Sequence, residues 1–184
     1  TDGAQTLAEE KNDFTLEKGM NTLTSTLIVK NPELWLTSDE LAELDRKENK
    51  LYELTVASEN GDYEVTKKIA FRTIAVDTKN GALCFHVNGR AVFAKGANWI
   101  PPDALPSRQT NGKITELLSA AVQAHMNMIR IWGGGQFESD GFYECCDRFG
   151  LLIWHDFMFA CATYPATDEF LASVSAELAY QIPR

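Results

Sequence analysis

The sequence predicts a multidomain chain, β in its first half and α/β in its second. Asn-Gly pairs recur between short apolar runs as far as residue 89. Near Asn98 the apolar spacing changes from a strand period to a helical one. From there, strand-like and helix-like segments alternate. The 184 residues leave room for one large domain or two small ones. At 45% hydrophobic and 23% charged, the chain can bury a core. Its net charge of −9 argues against nucleic acid and against an anionic membrane surface, and suits a neutral partner or plain solubility.

In the first half, residues 22–29 ("TLTSTLIV") and 51–58 ("LYELTVAS") read as strands with partial alternation. Asn60-Gly61 leads into residues 63–71, Asn80-Gly81 joins "RTIAVDT" to "ALCFHV", and Asn88-Gly89 leads into "RAVFAKG". Both residues of such a pair tolerate positive φ, so three pairs predict an antiparallel meander within a small sandwich over residues 1–90. Residues 30–50 interrupt it with a proline and a charged stretch, read as a connection with one short helical turn. Residues 1–18 are polar and poor in pattern, and read as a partial strand or as disordered.

In the second half, residues 91–184, an apolar run ends at Asn98-Trp99 and a Pro-rich loop follows. Ile114, Leu117, Leu118, Ala121 and Val122 share one face of a helix over residues 113–124, capped by Thr110 or Asn111. "MNMIRIW" is the next strand. Ser139 or Asp140 opens a second helix, and Gly150 stands where a C′ glycine belongs. "LLIWHDFMF" is the third strand, and Thr167 with Asp168 and Glu169 opens a third helix. Continuous apolar runs predict parallel strands buried on both faces. A doubly wound sheet would need a phosphate loop after its first strand, but "GANWIPP" and "GGGQFE" lack that pattern and no G-x-x-x-x-G-K-[ST] exists. A (β/α)8 barrel is favoured, and the chain holds three of its eight units.

In a barrel, chemistry sits where the strands end. Asn98 and Trp99 can bond and stack on a ligand, or Trp99 can plug the rim. Trp132 offers an indole face, and Gly133 to Gly135 either leave room above it or merely turn the chain. His155 and Asp156 inside an apolar run need partners, either a ligand or an internal network. Arg130 also lies in an apolar strand, and Asp156 next door is its expected mate. His86 and His125 are isolated, and no spacing of His, Cys, Asp and Glu reads as a metal site. Cys84, Cys145, Cys146 and Cys161 form no C-x-x-C pair and read as reduced and structural. No cofactor motif is present. No apolar run approaches 18 residues, and neither compartment nor targeting is readable.

"FAKGANWIPPDALPSR", "MNMIRIWGGGQFESDGFYECCDRFGLLIWHDFMFACATYP" and "DEFLASV" closely resemble the β-mannosidases of glycoside hydrolase family 2. The upstream "NPELW", "LYELTV" and "FHVNGRAVFAKGAN" resemble that family's immunoglobulin-like sandwich running into its barrel. The resemblance implies a hydrolase that removes terminal, non-reducing β-D-mannose with retention, using an acid/base and a nucleophile glutamate about 5 Å apart. Neither glutamate motif occurs here, so no catalytic residue is assigned and the chain is expected to be an inactive fragment. What carries over is a pocket wall for a neutral β-mannoside: Trp132 against the sugar, with Asn98 and Asp156 lining it and Trp99, His155 and Gly133 beside them. His155 departs from the family's glutamine, and "ELWLTSDE" from its "LWWP" turn. The other readings are a non-catalytic carbohydrate-binding or interdomain sandwich module, and a sister β-galactosidase or β-glucuronidase. Three barrel strands alone would also present an unpaired edge, so self-association is expected.

Overall fold

The computed structural model describes residues 1–3 and 5–183, which form two compact units. One unit is Thr1–Leu34 with Lys50–Phe71; the other is Trp35–Asn49 with the chain from Arg72 on.

The first unit is built on an antiparallel hairpin of β1 (Tyr52–Ala57) and β2 (Glu64–Ile69), in register from Tyr52↔Ile69 to Ala57↔Glu64. At its turn Gly61 takes a φ of +77°. Tyr52 is buried, its ring edge-on to Phe71 at 5.3 Å and its hydroxyl accepting from the Glu33 N–H at 2.8 Å. Residues 22–29, expected as a strand, form none. Their β-rich composition has no neighbouring strand to take the backbone hydrogen bonds, and propensity alone does not make a strand. Leu23, Leu27 and Ile28 are exposed.

The second unit begins with a helix, α1 (Ser38–Glu43), capped by Thr37, whose hydroxyl accepts from the Glu40 N–H while Glu40 reaches back to the Thr37 N–H. A meander follows: β3 (Ile74–Asp77), β4 (Cys84–Val87) and β5 (Arg90–Val92). Asn80 and Gly81, and Asn88 and Gly89, all take positive φ, as the Asn-Gly signal requires. Next come β6 (Gly96–Trp99), α2 (Asn111–Gln123), β7 (Met128–Ile131), α3 (Asp140–Phe149), β8 (Leu152–His155) and α4 (Asp168–Gln181). The three strands form a parallel sheet in the order β6-β7-β8, with Trp99, Ile131 and His155 in one row and Asn98, Arg130 and Trp154 in the next.

Helices α2 and α3 cover one face of this sheet. Ile129 and Ile131 point into a core shared with Trp99, Ile114, Leu118 and Phe142. Leu117, placed on the packed stripe by its spacing, is 42% exposed. The strands were expected to be buried on both faces, yet β7 alternates between buried and half-buried residues and Trp154 on the other face is exposed. Among the described residues, helices cover only one side, so a continuous apolar run here has two unequal faces.

Residues 35–49 are strapped across the end of α3. Trp35 is 1% exposed; its indole donates to the Asp147 carbonyl at 2.7 Å, and the Arg72 guanidinium lies 4.8 Å over its ring. Asn49 donates to the Leu36 carbonyl and accepts from the Leu36 N–H. The Ser38 N–H donates to the Gly150 carbonyl, and a Cβ at Gly150, whose φ is +72°, would fall 2.5 Å from the Ser38 nitrogen. Cys145 and Cys146 are buried and free, Cys84 is half-buried and Cys161 is exposed. Burial pushes the Cys146 thiol well up.

Phe142→Ala is expected to cost about 3–5 kcal/mol, read as a fall in the urea midpoint. Burial holds the Asp147 carboxyl above the usual aspartate range, against the pull of Arg72. The folded state therefore binds that proton more tightly than the unfolded chain does. The stability this contributes is fully present below the ordinary aspartate range and is lost as pH rises through the raised value. Asp147→Asn should flatten that decline, measured by urea midpoints from the aspartate range to neutral pH.

Candidate functional site

At the C-terminal ends of the three parallel strands, polar side chains gather around Arg130. Its Nε donates to Asp156 Oδ1 at 3.1 Å, its Nη2 to Asp156 Oδ2, and its Nη1 to Asn98 Oδ1 at 2.9 Å. The parallel register sets Asn98 opposite Arg130, and Asp156 follows two residues after Trp154 in that same row. The guanidinium thus spans β6, β7 and the end of β8 with a bidentate fork. The Gly133 N–H adds a 3.3 Å bond to Asp156 Oδ2.

Trp132 leaves β7 half-buried, its N–H on the Trp99 carbonyl at 3.0 Å. The Gly135 N–H closes a tight turn onto the Trp132 carbonyl at 2.9 Å. The indole folds back over this turn: a Cβ at Gly134 would fall 2.2 Å from two of its ring carbons. A Cβ at Gly133 would fall 2.5 Å from the Phe157 carbonyl oxygen. These two glycines are therefore required by close approach, one to the backbone after β8 and one to the indole.

Trp99 and His155 face the other way. Trp99 is 9% exposed, packs against Phe142 at 5.0 Å between ring centroids, and donates from its indole to Glu138 Oε1 at 3.0 Å. His155 Nδ1 lies 2.7 Å from the Asp156 carbonyl, which can only accept, so Nδ1 carries a proton. Its Nε2 is buried with no partner among the described residues, beside the Phe137 ring at 5.0 Å. The structure thus brings Asn98, Asp156 and Gly133 together around Arg130, sets the Trp132 indole over the adjoining turn, and puts Trp99 and His155 in the row of Ile131.

Glu138, 3% exposed, escaped the sequence reading because its partner, the Trp99 indole, lies 39 residues away. Gln109 and Gln136 escaped it too; they bond to each other at 2.7 Å. Their only signal was position on loops that leave adjacent strand ends. Among the described residues no three His, Cys, Asp or Glu side chains gather as a metal site. The cluster can neutralise one carboxylate, hold it and an amide rigidly, and present an indole beside them, a combination suited to hydroxyls and C–H surfaces.

No protein-family model matches the sequence. The β-mannosidase of Capra hircus is 42% identical over 142 residues, covering 72% of this chain and 16% of its own length. β-Mannosidase B of Emericella nidulans is 34% identical over 171 residues, 89% of this chain and 20% of its own. The crystal structure of β-D-mannosidase from Dictyoglomus thermophilum matches with a TM-score of 0.71 at 39% identity, over 84% of this chain and 19% of that one. A Parabacteroides merdae β-glucuronidase, 22% identical with a TM-score of 0.65 over 85% of this chain and 19% of its own, shares the fold. The chain spans between about a sixth and a fifth of the length of these curated relatives. At these identities the chain belongs to the β-mannosidases of glycoside hydrolase family 2.

Proposed function

We propose that this chain supplies one wall of the monosaccharide pocket of a retaining exo-β-mannosidase, which hydrolyses terminal, non-reducing β-D-mannose from β-mannosides. Residues 1–90 contribute an immunoglobulin-like sandwich, and residues 91–184 the first three units of a (β/α)8 barrel. The acid/base and nucleophile glutamates lie outside this chain. The observation that carries the reading is the Arg130 fork joining Asn98 and Asp156 at the shared end of three parallel strands, next to Trp132. With Arg130 balancing its charge, Asp156 can accept from sugar hydroxyls while Asn98 both donates and accepts. The Trp132 indole meets the sugar's C–H surface. Three parallel strands with α2 and α3 on one face match the opening of such a cylinder, with Arg130, Asn98 and Trp154 turned to its inside.

The chain alone should not turn over an aryl β-mannoside, because it lacks both glutamates; turnover would overturn the assignment. In the longer protein that carries this segment, Trp132→Ala should lower kcat/KM for the β-mannoside by about tenfold or more with the fold intact. Hydrolysis of an aryl β-galactoside or β-glucuronide in preference to the mannoside would replace the substrate.

Strands β6 and β8 each have one edge unpaired among the described residues. The isolated chain is therefore expected to associate with itself, eluting from size-exclusion chromatography as dimers or larger species; a clean monomer would refute this.

A further inference from the structure

We propose that Gln109 and Gln136 are positioning residues that set the Trp132 indole by bracing one strand-end loop against the next. As a determinant of sugar affinity, this brace rests on the sugar reading above.

The turn that carries the indole is held from two sides. On one side Gly133 sits against the start of the segment after β8, bonded to Asp156. On the other side the His155 ring at the end of β8 lies 5.0 Å from Phe137, and the loop between β6 and α2 makes the hydrogen bond. Gln136, directly after the turn, donates from Nε2 to Gln109 Oε1 at 2.7 Å. A Cβ at Gly135 would fall 3.1 Å from Pro101 Cδ, so the two loops touch there as well.

Gln109 is not a free end. Its own Nε2 donates to the Asp103 carbonyl at 2.8 Å. Asp103 in turn accepts from the Leu105 N–H at 3.0 Å and from Lys113, on the first turns of α2, at 3.1 Å. Those two donors hold its carboxyl below the usual range. A chain of polar contacts therefore runs from a packed helix to the turn under the indole. Every side chain in it is half-buried. The indole has no slack of its own, because Gly134 lies directly beneath it. Displacing the turn displaces the ring. Among the described residues the hydrogen bonds of the two glutamines run to each other and to Asp103, and those of the Arg130 cluster to Asn98, Asp156 and Gly133.

The test uses the chain labelled with 5-fluorotryptophan, whose four signals come from Trp35, Trp99, Trp132 and Trp154. Trp132→Phe identifies the signal of interest. Gln136→Ala and Gln109→Ala are each expected to shift or broaden the Trp132 signal and leave the other three in place. The double substitution should move it no further than Gln109→Ala alone, since the one contact that Gln136→Ala removes is already lost in Gln109→Ala. A Trp132 signal unchanged in either single variant overturns the proposal. So does a collapse of all four signals together, or an effect of the double that equals the sum of the singles. Titrating the longer protein that carries this segment, labelled in the same way, with mannose separates the two readings. A Trp132 signal that answers to Gln136→Ala but not to mannose keeps the brace and removes the sugar from this wall.

Discussion

The guanidinium of Arg130 ties together the three parallel strands of the second unit. An arginine in the middle strand of a parallel sheet must find anions and acceptors or stay in water. Here it reaches across both neighbours, to Asn98 on one and to Asp156 beyond the other. That geometry exists only in one register. A shift of β7 by one residue would turn Arg130 into the core and bring Ile129 or Ile131 out. The same alternation that sends the two isoleucines under α2 and α3 sends the arginine to the opposite face. Core and site are thus two readings of one period, and the site's polar groups report the register that the core selects.

The elements that could be read from the sequence were those whose signals are local. The Asn-Gly pairs fall at the turns of the hairpins, and Thr110, Thr167 and Gly150 mark helix ends as their cap chemistry requires. The pairing of Arg130 with Asp156 could also be anticipated, because a charge in an apolar strand has few ways to be satisfied. What could not be read was long-range or directional. Residues 22–29 have strand composition but no strand beside them. Which way Trp99 points depends on the row it shares with Ile131, a fact of sheet register rather than of the residues around it. Glu138 and the Gln109–Gln136 pair depend on partners whose distance along the chain carries no pattern.

The run of three glycines shows how one sequence feature can carry different physical demands. Each glycine is small for its own neighbour: the backbone after β8, the indole, and a proline ring. None of the three takes a positive φ. Their role is proximity, and the largest side chain of the segment occupies the space they release. A tryptophan beside glycines is therefore a packed arrangement, with one surface spent on the turn and the remainder available outward.

The strap around Trp35 has a consequence for synthesis. Its indole is satisfied by a carbonyl 112 residues further along the chain. At about 5–20 residues per second, the ribosome needs roughly 6–22 seconds after making this tryptophan to produce that acceptor. During that interval the Trp35 indole N–H lacks its native acceptor. Chaperone capture in that window would follow from where the acceptor is encoded, and moving it earlier in the gene, by circular permutation, would shorten the wait without altering a single native contact of the strap.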